Sequence, residues 1–147
     1  MSQTRKAIKR YLNEYRRLTE KIRQLDEDLE AIESEIGAKS LGDGAGVQFF
    51  DLTDPTAKLA VRLADIRLHK ETVRSIAWSR REEIVRVIDN VQDTLQSRLL
   101  YDRYILLLTW EQVADDIHVN EVYARGRLHA AALVSAEEVY KERVNND

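Results

Sequence analysis

Apolar residues recur along the first 36 positions at alternating spacings of three and four. Ile8, Tyr11, Tyr15, Leu18, Ile22, Leu25, Leu29, Ile32 and Ile36 fall on one seam of an amphipathic helix running from about Arg5 to Ile36. A seam with this period needs a second helix to cover it. A further copy of the chain satisfies it, making these nine residues an oligomerisation surface. A later helix of the same chain satisfies it equally, and the bulky Tyr11 and Tyr15 suit either arrangement. Gly37 stands where a C′ residue would end the helix.

A second long helix is expected from near Asp54, with Pro55 at its first helical position. Leu59, Leu63, Ile66, Val73, Ala77, Ile84 and Ile88 mark its buried side, and Trp78 extends that side or faces a partner. The helix continues to about Val91 or kinks near Ser79. Between the two helices, residues 37–53 hold four of the five glycines and read as a flexible connector. Phe49, Phe50 and Leu52 are expected to anchor it. The run GDGAG has the glycines of a phosphate loop but lacks the following Lys–Ser/Thr pair and a preceding strand.

The pattern shortens after residue 89 into four helical pieces. The first covers roughly 90–106, with Val91, Leu95, Leu99 and the Leu100–Tyr104 pair facing a core. Residues 110–117 follow, with Thr109 as N-cap and Gln112 at the N3 position of a capping box. A break at His118–Val119–Asn120 leads to a helix over 121–134, capped by Asn120. Ser135, with Glu138 three residues on, is expected to cap the tail. Trp110, Val113, Ala114, Ile117, Val119, Ala124, Leu128 and Leu133 bury the facing sides of the middle pieces, and Ala114 is small where they cross. That layout is a helix-turn-helix. The expected fold is therefore all-α: residues 1–88 form a long N-terminal helical hairpin or coiled coil, and residues 89–147 a small helix-turn-helix domain.

Charge qualifies this picture. The net charge is -3, but residues 1–23 carry eight bases and two acids, while residues 24–36 carry six acids and no base. The basic run Arg5, Lys6, Lys9, Arg10, Arg16, Arg17, Lys21 and Arg23 has three readings. It docks phosphate or an acidic partner, pairs with Asp26 to Glu35 of an antiparallel neighbour, or is simply solvated. Residues 89–147 carry six bases and eleven acids, which argues against indiscriminate nucleic-acid binding but not against a small specific face. The absence of Cys excludes disulfides, thiolate metal sites and Cys nucleophiles, and fits the cytoplasm. The longest apolar run, Ile105 to Leu108, is too short to span a membrane, and the N-terminus lacks a secretion pattern.

Catalysis is not expected. His69, His118 and His129 have no second ligand at a diagnostic metal spacing, and no Glu-x-x-His pair occurs. The adjacent pairs Glu82–Glu83 and Glu137–Glu138 diverge on a helix. No catalytic residue, metal or cofactor is assigned. For a helix entering the major groove N-terminus first, the base-reading candidates are Arg125, then Asn120 and Glu121, with Tyr123 and Arg127 beside them. Arg98 and Arg103 on the preceding helix are candidates for the phosphate backbone. The structural alternatives are that Asn120 is only a cap, that Arg125 and Arg127 pair with Glu121 or are solvated, that His129 is a surface or half-buried packing residue, and that Trp110 is core.

The stretch from Leu99 to Leu133 resembles region 4 of the sigma-70 group. More closely, it is similar to small Gram-positive phage and prophage proteins of the ArpU-like, late-transcription-regulator kind. The residues carrying the likeness are the pair Arg103–Tyr104, the scaffold helix Thr109–Trp110–Glu111–Gln112–Val113–Ala114, and the pair Leu128–His129. Gly126 inside the second helix departs from a good helix former by about 1 kcal/mol. The resemblance implies a sequence-specific regulator of transcription that binds double-stranded DNA. Its long helices would form a homo-oligomer or contact RNA polymerase or a phage protein. Two alternatives remain: a small terminase-like recognition subunit for DNA packaging, and a protein-interaction module whose DNA surface has degenerated.

Overall fold

In the computed structural model, which describes residues 3–42 and 54–146, the N-terminal seam lies on a long helix bent at Asn13. Its two parts are α1 (Gln3–Leu12) and α2 (Glu14–Gly42). The bonds Asn13 N to Lys9 O and Arg17 N to Asn13 O carry the helical ladder through the bend. Gly37 does not end the helix, which continues to Gly42. A single glycine costs a helix interior only about 1 kcal/mol, and Ala38 and Lys39 after it are good helix formers. The expected anchors Phe49, Phe50 and Leu52, and most of GDGAG, lie outside the described residues. After them comes α3 (Pro55–Asp89), unbroken at Ser79, with Asp54 Oδ1 accepting from Thr56 N at its start. All regular elements among the described residues are helical.

The chain forms two compact units, Leu18–Ile76 and the combination of Met1–Arg17 with Ala77–Asp147. In the first, ion pairs join Asp26 to Lys70 and Glu33 to Arg67, so α2 and α3 run antiparallel. Two acids of the acid-rich stretch, Asp26 and Glu33, therefore meet bases of α3. Leu25, Leu29 and Ile32 are buried together with Ala57 and Val73. Leu18, Ile22, Ile36, Leu59, Leu63 and Ile66 are half-buried. Much of the nine-residue oligomerisation seam is thus covered within one chain.

The second unit departs from a boundary at residue 88. Ile8 and Leu12 of α1 and Ile84, Val87 and Ile88 of α3 share one core with the C-terminal helices. The Tyr11 and Tyr140 rings meet at 4.8 Å, tilted by 49°, and Glu14 pairs with Arg80 at 2.7 Å. Leu12, which the heptad omits, is fully buried. The C-terminal helices are α4 (Thr94–Tyr104), α5 (Trp110–Ile117), α6 (Glu121–Tyr123) and α7 (His129–Asn146), with a π-helical turn at Ala124–Leu128 between the last two. Asp93 caps α4 by accepting from Gln96 N, while Leu95 faces outward rather than into the core. No new helix begins at Ser135, which lies inside α7. Its hydroxyl donates to Gln96 Oε1 at 2.5 Å, with Ala131 O also close, so it takes the mid-helix role of a serine rather than a cap.

Candidate nucleic-acid interface

The geometry of residues 109–128 begins with two local caps. Thr109 Oγ1 accepts from Gln112 N, and Gln112 Oε1 accepts from Thr109 N, which fixes the start of α5. His118 ends α5 in the left-handed region at φ 59°, and its N–H and that of Val119 both reach Ala114 O. Asn120 Oδ1 then accepts from Val122 N at 2.8 Å and starts α6. Val113, Ala114, Ile117, Ala124, Leu128 and Leu133 are buried, and Trp110 and Val119 pack half-buried against them. Ala114 leaves room for the close crossing because a methyl group is all it presents.

On the outer side, Asn120, Glu121, Tyr123, Arg125 and Arg127 are exposed, as is Val122. Asn120 caps α6, Glu121 and Tyr123 lie on it, and Arg125 and Arg127 lie on the π turn that follows. Among the described residues Arg125 and Arg127 form no ion pair with Glu121 or any other acid. Asn120 is a cap, but its amide nitrogen is not used by that bond. The backbone widens over Ala124–Leu128, where His129 N bonds to Ala124 O five residues back. Such π turns are often found at functional sites. An added Cβ at Gly126 would meet nothing within 4 Å.

Arg98 and Arg103 are placed differently. Arg98 donates from Nε and Nη2 to the two oxygens of Asp116, at 2.7 and 3.3 Å. Its Nε also lies 3.3 Å from Asp102 Oδ1. Arg103 donates to Leu108 O and lies 4.7 Å from the centre of the Trp110 ring. Burial first, and then the neighbouring Arg16, lower its affinity for a proton. Both arginines therefore brace the fold around α5.

One polar group, Asp102, escaped the sequence reading, and another, His129, departs from it. Asp102 is fully buried, and neither carboxyl oxygen accepts a well-formed hydrogen bond. Burial and the adjacent Asp116 carboxyl push its pKa above the ordinary carboxylate range, while Arg98 opposes them. Arg98 in turn holds Asp116 low. The signal for Asp102 was its place three residues after Leu99 on the buried stripe of α4. His129 is buried, not a surface or half-buried group. Its Nε2 shares a 2.7 Å hydrogen bond with the Tyr104 hydroxyl, and the edge of Trp110 lies 4.7 Å from its ring. Burial, then Lys9 and Arg103, lower its pKa to about 4, so the imidazole is neutral. Among the described residues no group of three or more His, Cys, Asp or Glu side chains is placed to hold a metal ion, and no helix is long and apolar enough to cross a membrane.

Comparison with known proteins adds no relative: no family model, curated protein or solved structure matches the chain.

Proposed function

We propose that this chain is a non-enzymatic, sequence-specific binder of double-stranded DNA and acts as a phage- or prophage-type transcription regulator. Residues 109–128 act as its helix-turn-helix. The observation that carries the reading is the capped α5, left-handed His118 and capped α6 presenting exposed Asn120, Arg125 and Arg127 together. The second helix of such a unit enters the major groove with its N-terminal residues against base edges. Arg125 suits the N7 and O6 acceptors of guanine, and the Asn120 amide suits adenine. The Arg103–Tyr104, Trp110 and Leu128–His129 resemblance supplies the regulatory context. In this reading the α2–α3 hairpin at 18–76 contacts the transcription machinery or a second copy.

Binding of the purified protein to fragments of its own genomic neighbourhood, at several salt concentrations, tests the proposal. Wild type should select one fragment, and Arg125→Ala should lose that selectivity by about 1–3 kcal/mol. Equal binding to every fragment by the wild type would overturn it.

Exposed Val122 and Tyr123 beside Glu121 favour a second reading, a protein-interaction module. That module predicts salt-insensitive capture of a protein partner, and Val122→Asp would abolish it.

A further inference from the structure

The basic run divides at the boundary between the two units, and its first part has its own geometry. Lys6, Lys9, Arg10, Asn13, Arg16 and Arg17 line one groove of about 710 Å³. No acid lines it. The single acid of this segment, Glu14, is turned to Arg80. Among the described residues Lys6, Lys9, Arg10 and Arg17 form no ion pair. The positive field also reaches inward, because Lys9 disfavours a charge on His129 and Arg16 disfavours one on Arg103. Lys6, Lys9, Arg10 and Arg17 are thus gathered on this side with no ion pair among the described residues, which is unfavourable unless an anion occupies the groove.

We propose that this groove is a second nucleic-acid contact, holding the phosphate backbone of double-stranded DNA while α6 and the π turn read bases. The inference rests on the DNA-binding reading above and adds a separate site to it. Its cations stand in two groups, Lys6, Lys9 and Arg10 and then Arg16 and Arg17, with Asn13 between them, along roughly 16 Å of axis. Repeated phosphates suit such a row, and Arg10 and Arg17 in it offer planar forks to phosphate oxygens. Because α1 belongs to the same compact unit as α5 and α6, both contacts are carried by one folded body.

The test is the slope of log binding constant against log salt for a short duplex, with Lys6→Ala/Arg10→Ala/Arg17→Ala beside Arg125→Ala. These three exposed positions carry none of the core, and circular dichroism checks folding. Each lost phosphate contact lowers the slope by about 0.9, so the triple variant should lower it by about 2–3 for selected and random duplexes alike. Arg125→Ala should lose selectivity and keep most of the slope. An unchanged slope in the triple variant would overturn the groove while leaving the base-reading helix standing. Selectivity retained in Arg125→Ala, with the slope lowered in the triple variant, would instead overturn the Arg125 assignment and keep the groove. Failure of the wild type to bind any duplex would overturn both. Triple-variant-sensitive binding of polyglutamate, with none of DNA, would assign the groove to an acidic protein.

Discussion

Asp102 and His129 set opposite pH dependences on the same core. A carboxyl whose pKa is raised on folding stabilises the fold at low pH, and that contribution disappears as pH rises through the folded value. Asp102 is such a group, its pKa raised to about 7 by burial and then Asp116, so near neutral pH it is passing into a buried carboxylate that Arg98 partly offsets. Asp102→Asn keeps the shape and removes the titration. It should raise stability at neutral pH by roughly 1 kcal/mol and abolish this part of the pH dependence, as read from urea unfolding at several pH values. A loss of stability at neutral pH would show that the Arg98 contact outweighs the burial penalty. His129 acts in the other direction. Its pKa falls from 6.5 to about 4, so its contribution is present above 6.5 and lost as pH falls through 4. At about 1.4 kcal/mol per pKa unit this amounts to roughly 3 kcal/mol. His129→Gln should lower stability at neutral pH through loss of the Tyr104 bond and flatten the acid limb. An unaltered acid limb would locate that titration elsewhere.

At the level of elements, the caps were the most legible part of the chain. Thr109, Gln112 and Asn120 act within three residues of themselves, so their roles follow from local sequence. Pro55 was legible for the same reason. Gly37 and Ser135 were misleading because a helix already propagating carries through one weak residue. Leu12 was hidden because the N-terminal helix buries a wider face than the heptad, with Ile8, Tyr11, Leu12 and Tyr15 all on one core. Asp102 shows the limit of binary patterning, which has no place for a buried acid even when the register points to it. Thr109→Ala should cost about 1 kcal/mol of stability. His118→Gly should raise stability by roughly 0.5–1 kcal/mol, because glycine occupies the left-handed region without a Cβ clash. Thermal unfolding reads both, and a destabilised His118→Gly would mean that the imidazole has packing or charge contacts worth more than the backbone relief.

For the whole molecule, the all-α class was legible from periodicity, but the division into units was not. Heptad spacing tells that a seam is covered, not by which partner, and Ile8 and Leu12 join residues some ninety positions away. The division makes residues 18–76 an insertion within a unit built from both ends of the chain. Joining Arg17 to Ala77 through a short glycine-serine linker should leave that unit cooperatively folded. Residues 89–147 alone should not fold, since they lack Ile8, Leu12, Ile84, Val87 and Ile88. Near-ultraviolet circular dichroism and thermal melts of the two shortened chains check this, and a cooperative melt of 89–147 would contradict it.

The closure of this unit by its first helix also has a consequence during synthesis. Ile8 and Leu12 leave the ribosome well before their core partners between Leu99 and Ala136 and must wait for them. At about 5–20 residues per second, that delay is roughly 5–25 seconds. Meanwhile Ile8 and Leu12 remain uncovered on a strongly cationic stretch beside the anionic ribosomal RNA, while the 18–76 pair is free to zip up behind them. Translation that stopped near residue 90 would release a chain with Ile8 and Leu12 unsheltered, and such chains would be the natural prey of nascent-chain chaperones and proteases.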